Sequence, residues 1–186
     1  MEYLYKNRVE HRDLKAANCL LDRDGRVKLA DFGLSKTITS FTGQSSKHYP
    51  VGTFSHMAPE ILLIHLLENK FTEKADVYSY GIVMFEVISR AEPWKGLHEA
   101  MITARVITGI RPSREFPIPE DSPPELITLM EKCWNDKPSK RPPFQQIVQD
   151  LQATSTASLA STSLSLQGLE EKSEPPSTGS TGSSAA

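Results

Sequence analysis

The sequence predicts a mainly α-helical domain carrying one small β-hairpin, followed by a disordered tail. Three observations predict it. Val77, Tyr80, Ile82, Val83, Phe85, Val87 and Ile88 crowd nearly all sides of one helix that begins after Thr72, the pattern of a helix at the centre of a domain. Leu126, Leu129, Met130 and Cys133 recur at three- and four-residue intervals, the stripe of an amphipathic helix. Asp24-Gly25 stands between Cys19-Leu20-Leu21-Asp22 and Arg26-Val27-Lys28-Leu29-Ala30, a strong signal for a short hairpin.

Composition narrows the function classes. A formal net charge of −2, from 21 basic and 23 acidic residues, offers no polyanion-binding surface, so no nucleic acid partner is expected. The longest apolar run, Ile61-Leu62-Leu63-Ile64, stops at His65, far short of the ~20 residues of a membrane span. Met1-Glu2-Tyr3 is not the basic opening of a secretory signal. Two cysteines are too few for a disulfide scaffold, and Cys19 and Cys133 are expected as buried thiols in a reducing, cytoplasmic setting.

Taken in order, residues 1–6 read as the last turns of a helix, with Tyr3 and Leu4 turned to the core. The polar run His11-Arg12-Asp13-Leu14-Lys15-Ala16-Ala17-Asn18 is a loop joined to the first hairpin strand. The hairpin carries the chain from that loop to Asp31. Residues 34–57 are rich in Ser, Thr, Gly and Lys without sustained periodicity, and a loop of that length is expected to be functional or disordered. Glu60 to Leu67 reads as a short helix, and a solvent-facing connection leads to Thr72. Glu92-Pro93-Trp94 ends the central helix with an aromatic anchor, Leu97 to Ile107 forms another helix, and Arg111 to Pro124 is a loop punctuated by proline. From Thr154 onward serine and threonine dominate and no aromatic occurs, a composition that supplies little core.

Three ordered motifs carry the chemistry. Asp13 precedes Asn18 by five residues behind His11-Arg12; Asp31-Phe32-Gly33 follows the hairpin; Ala58-Pro59-Glu60 follows the long polar loop. The series resembles the catalytic loop, magnesium-binding motif and activation-segment end of the protein kinase superfamily. It is closest in pattern to the tyrosine-kinase-like group of Ser/Thr kinases. The resemblance covers residues 1 to about 152 and implies the C-terminal lobe only, a partial kinase domain with the N-terminal lobe absent. In the family, the Gly-rich loop, strand lysine and helix glutamate that hold ATP precede the catalytic loop, and here ten residues precede His11. Residues 153–186 are read as a disordered Ser/Thr-rich tail.

The resemblance implies roles residue by residue. Asp13 would accept or orient the substrate hydroxyl proton, in a site expected to be open to solvent without ligand, and Lys15 would contact the transferred phosphate. Asn18 and Asp31 would hold Mg2+ against ATP, as oxygen donors suited to a hard cation. Arg12 would bridge the catalytic and activation loops, and His11 would pack near Phe32, beside Gly33. Thr53 would help hold Asp13 and Lys15. Asp76 would accept backbone hydrogen bonds from the catalytic loop, and Arg141 would form a buried ion pair with Glu60. Thr37, Thr39, Ser40, Thr42, Ser45, Ser46 and Tyr49 are candidate phosphoacceptors whose added charge could order the loop against Arg12.

Lys15 resembles Ser/Thr kinases, whereas Cys133-Trp134 and Arg141-Pro142 resemble tyrosine and tyrosine-kinase-like kinases. Two residues depart from the family. Glu10 stands where an apolar residue usually precedes the histidine, and is read as an opened edge or a local defect. His56 stands where Tyr or Trp is usual, and is read as a weakening of peptide-substrate packing. The implied parent activity is ATP-dependent phosphorylation of protein Ser/Thr residues, with Tyr open. The chain alone is expected to be inactive, with ATP and protein substrates as partners once it is joined to an N-lobe. The alternative is a non-catalytic, pseudokinase-like binding or scaffold protein.

Overall fold

The computed structural model describes residues 1–37, 52–63 and 72–156. The candidate phosphoacceptors from Thr39 to Tyr49, the connection 64–71 and the tail from 157 lie outside them. Residues Met1–Leu151 form one compact unit, about half of it helical with few strands, as the mainly α expectation has it.

The unit is organised around α3, Glu73–Ser89; earlier come two shorter helices, α1 (Glu2–Lys6) and α2 (Pro59–Leu62). Its first turn carries Glu73 and Asp76, which complement the positive end of the helix dipole, and it stops at Arg90 with a left-handed φ of 54°. Val77, Tyr78, Ile82 and Phe85 are fully buried, and each apolar side chain of that size contributes about 1.5–3 kcal/mol when removed from water. The helix α5, Pro124–Cys133, lies along α3 with Leu129, Met130 and Cys133 inward. Their approach is set by Gly81: a Cβ there would sit 3.1 Å from both Cys133 Cβ and Trp134 N and 3.2 Å from Met130 O. Between them in sequence, α4 (Glu99–Ile107) buries Ile102 and Val106. Residues 144–156 are again helical, with Phe144 and Ile147 in the core.

The strands form two separate pairs. Strand β1 (Val9–Glu10) lies antiparallel to β4 (Lys36–Thr37), with Glu10 opposite Lys36. The hairpin is β2 (Cys19–Leu21) with β3 (Val27–Leu29), registered Leu20 to Lys28. It is shorter than the apolar runs suggest, because Asp22 leaves the strand to close the turn. Its Oδ1 accepts the N–H groups of Asp24 at 3.0 Å and Arg26 at 2.9 Å, with Gly25 at φ 74°.

Three expectations are corrected. Cys19 is half-buried rather than buried, because it lies on a two-stranded pair. Tyr3 is 75% exposed; the α1 face that meets the core instead carries Tyr5, stacked on Phe144 at 5.6 Å. The helix read from Glu60 to Leu67 spans Pro59–Leu62 among the described residues, opened by a proline at its first position.

Glu60 and Arg141 tie α2 to the last helices. Arg141 donates to both Glu60 oxygens, Nη1 to Oε1 at 2.6 Å and Nη2 to Oε2 at 2.9 Å, and also to the carbonyls of Asn135 and Lys74. Lys74 Nζ returns a bond to the Arg141 carbonyl at 2.8 Å. Tyr78 is packed between Arg141 and Arg111, each guanidinium 5.1 Å from its ring centre. Because Arg141 is 1% exposed, truncating either partner strands a buried charge. Glu60→Ala and Arg141→Ala should each lower stability by roughly 3–5 kcal/mol. Lys6→Ala, which breaks an exposed pair with Glu2, should cost under about 1 kcal/mol. Urea midpoints of the three variants, at unchanged slope, check the ranking.

Candidate active site

Residues 11–18 fold back against α3 through one buried carboxylate. Arg12 has φ 70°, a left-handed conformation that costs a non-glycine residue roughly 1–2 kcal/mol. Asp76 holds it there, accepting the N–H groups of His11 at 2.8 Å and Arg12 at 2.9 Å and the Tyr5 hydroxyl at 2.6 Å. Burial pushes the Asp76 carboxyl above the usual carboxylate range, against these three donors, which favour the charged form. His11 is fully buried, with Nε2–H donating to the Ala30 carbonyl at 3.2 Å and its ring 5.0 Å from Phe32. That tautomer leaves Nδ1 to accept the Asp13 N–H at 3.4 Å.

Asp13 is at the centre of a closed polar cluster. Its Oδ1 accepts the Thr53 N–H at 2.8 Å and the Thr53 hydroxyl at 2.7 Å, and its Oδ2 faces Lys15 Nζ at 3.2 Å and Asn18 Nδ2 at 3.3 Å. Lys15 also donates to Thr53 Oγ1 at 2.9 Å, and Asn18 Nδ2 to the Asp13 carbonyl at 2.8 Å. Thr53 comes this close because Gly52 precedes it at φ 119°; a Cβ there would lie 2.6 Å from the Arg12 carbonyl oxygen. Burial raises the Asp13 carboxyl, but the hydrogen bonds from Thr53 and Lys15 and the lysine charge outweigh it. The group lies below its ordinary value.

Asp13 is therefore not open to solvent: it is 8% exposed, because the 52–53 segment folds over it. Arg12 is paired with a near neighbour in sequence, and the bridge to the activation loop expected of it falls outside the described residues. Its Nε and Nη2 donate to Glu10 Oε2 at 3.0 and 2.7 Å. Residues 38–51 of the activation loop lie outside the described residues.

Two connections could not be seen in the motifs. Glu86 Oε2, on α3, accepts the Ala16 N–H of the catalytic loop at 3.0 Å and His56 Nε2–H at 2.9 Å. His56 is buried, its Nδ1 accepting the Ser55 hydroxyl at 2.9 Å and its carbonyl accepting Ser79 at 2.8 Å. The imidazole is thus bonded through both ring nitrogens. The available signal was the single carboxylate beyond the helix's first turn, inside its apolar stretch. Tyr5 left none, as its role depends on a residue 71 positions away.

Asp31 opens the far side. The Ala30 N–H donates to the Asn18 carbonyl at 2.9 Å, so the hairpin delivers Asp31 beside Asn18. Asp31 itself has φ 59° and is exposed, with the Gly33 N–H 3.3 Å from Oδ1. These donors fit a magnesium ion. Asn18 spends its amide N–H2 on Asp13, which leaves the amide oxygen as a hard ligand, and Asp31 adds an exposed carboxylate. Among the described residues no cluster of three or more His, Cys, Asp or Glu forms a protein cage.

Residues 1–151 match the family model described as protein tyrosine and serine/threonine kinase. Curated relatives agree. The dual specificity protein kinase shkE of Dictyostelium discoideum is 39% identical over 143 residues, covering 76% of this chain and 19% of the relative. The serine/threonine-protein kinase STY46 of Arabidopsis thaliana is 38% identical over 154 residues, covering 82% and 25%. The serine/threonine/tyrosine-protein kinase HT1 of the same plant is 38% identical over 152 residues, covering 82% and 36%. The chain thus spans a minor part of each relative's length.

The Thr53 clamp has a pH signature. Thr53→Val removes two hydrogen bonds to charged groups, the one donated to Asp13 and the one accepted from Lys15, at a cost of about 1.5–3 kcal/mol each, and should move the Asp13 carboxyl upward in a carbon-13 NMR titration. A carboxyl with a lowered folded value contributes stability above its unfolded value, here 3.8, and loses it as pH falls through the folded value. The stability gap between wild type and Thr53→Val should therefore be full at neutral pH and close below pH 3.8. A gap independent of pH would show that Thr53 acts through packing.

Proposed function

The chain belongs to the protein tyrosine and serine/threonine kinase family, and from that premise we propose that it supplies the catalytic half of an ATP-dependent protein kinase acting on Ser/Thr residues. The observation that carries the reading is the closed cluster of Asp13, Lys15, Thr53 and Asn18, with hydrogen bonds of 2.7 to 3.3 Å around one carboxylate. A carboxylate and an ammonium held side by side match the two needs of phosphoryl transfer, orienting a hydroxyl and neutralising charge on the migrating group.

In this reading Asp13 Oδ2 receives the substrate hydroxyl. Its lowered value makes Asp13 a weak base, so its first contribution is orientation, with the proton accepted as the new oxygen–phosphorus bond forms. Lys15 Nζ, 27% exposed at its side chain, turns from Thr53 toward the phosphate. Asn18 Oδ1 and Asp31 would hold the cation. Magnesium-ATP, when bound, would supply the phosphoryl group, released as its bond to ADP breaks, and the positive charge that offsets the negative charge spread over its oxygens. Thr53 keeps Asp13 and Lys15 in register, as pre-organisation requires.

The hairpin surface supports the further reading that this lobe works against a second one. Leu20, Leu21 and Val27 are 54%, 71% and 63% exposed, and Phe32 and Leu34 are exposed beside them. A nucleotide-clamping lobe laid over this face would cover them and exclude water from the cleft. The setting proposed is cytoplasmic; no described helix is long and apolar enough to cross a membrane. The 153–186 tail read from composition begins within the helix that runs to residue 156, and the rest of it lies outside the described residues.

With magnesium-ATP and a panel of Ser, Thr and Tyr peptides, the isolated chain should transfer no phosphate above an Asp31→Ala control. Joined covalently to an N-terminal lobe of a relative, it should transfer phosphate to Ser/Thr peptides and lose that activity with Asp13→Asn or Asp31→Ala. Transfer by the isolated chain, lost in the control and free of contaminating kinase by mass spectrometry, would overturn the two-lobe requirement. An inactive fusion that binds magnesium-ATP would favour the scaffold alternative.

A further inference from the structure

The geometry points to Glu10 as a positioning residue: an anion resident in the chain that holds Arg12, and the turn leading into Asp13, in the role an added phosphate would otherwise fill. The functional consequence rests on the catalytic reading of residues 11–18. The exchange of one anion for another does not.

Glu10 is the residue before His11 and is 4% exposed. A carboxylate removed from water that far is tolerated when it is paired and hydrogen-bonded. Its Oε2 receives both Nε and Nη2 of Arg12, at 3.0 and 2.7 Å. The guanidinium fork matches carboxylate and phosphate oxygens alike, so the same two donors would take a phosphate oxygen in the absence of Glu10. On β1, Glu10 lies opposite Lys36 of β4, a second cation on the same strand pair. Arg12 is also the residue at φ 70°, whose N–H goes to Asp76. Its backbone is thus held from one side and its side chain from the other, immediately before the Asp13 carboxylate. An apolar residue at position 10 would leave the guanidinium, 23% exposed at its side chain, without this carboxylate. A phosphate would then have a site to occupy. With Glu10 present, the turn is ordered in the unmodified chain.

The test uses the full 186-residue chain and no activity measurement, so it stands or falls separately from the kinase reading, which the peptide assay decides. In nitrogen-15 NMR spectra the Arg12 Nε–H should be protected from solvent exchange in wild type and unmoved by inorganic phosphate. Glu10→Gln should lose that protection, and inorganic phosphate should restore it where chloride at matched ionic strength does not. Glu10→Asp should keep part of the protection without phosphate. Protection retained in Glu10→Gln without phosphate would overturn the proposal. So would recovery by Glu10→Ile, which would mean packing rather than charge. If Glu10→Gln fails to fold, the wild-type titration decides: a phosphate-dependent shift at Arg12 overturns the proposal, and its absence upholds it.

Discussion

The carboxylate of Asp76 is the constraint on which the site depends. It projects from the first turn of α3, and it accepts donors from two other parts of the chain, His11 and Arg12 in the 11–18 loop and Tyr5 in α1. Water cannot replace those donors at a group that is 0% exposed, so the loop backbone and the helix can separate only by leaving a buried carboxylate unpaired. A strained turn at Arg12 is stable for this reason. Packing energy collected along α3 is converted into fixed directions for two side chains, Arg12 and Asp13.

A second carboxylate on the same helix repeats the arrangement one face away. Glu86 links the Ala16 N–H to His56 through a single oxygen, and Ser79 adds a bond from the helix to the His56 carbonyl. Residues 11–18 and the segment around His56 are thus both fastened to α3. Thr53 then reaches Asp13 from the segment side. Below, the Glu60 pair with Arg141 anchors the same segment to the C-terminal helices. Residues 11–18 and 53–56 lie outside the long helices, yet both stretches are tied to α3 by charge-assisted bonds, to Asp76 and to Glu86, which gives a precision that loop-borne groups otherwise lack.

The two departures from the family pattern are each compensated by a neighbour of opposite or complementary character. Glu10 meets Arg12, and His56 meets Glu86. Neither is a defect once the partner is known. Both partners lie within the machinery that holds Asp13, so the substitutions retain bonds to the catalytic loop and its flanks instead of loosening them.

Much of this was legible in the residues. The spacing of Asp13, Asn18 and Asp31, the Asp24-Gly25 turn and the all-round apolar helix are local properties. Spacing and periodicity determined the mainly helical class and the hairpin, and the motifs' resemblance to the kinase family pointed to the chemical groups. The burial of Asp13, the half-exposure of Cys19, the outward Tyr3 and the bonds made by Tyr5, Glu10 and Glu86 were decided only by tertiary structure. Each depends on which distant segment arrives: Gly52-Thr53 closes over Asp13 from 40 positions away, and Asp76 lies 64 positions from Arg12. Local pattern determines what a side chain can do, and the packing of α3 determines which partner it meets, because a buried polar group takes its partner from whatever the fold brings within hydrogen-bond reach.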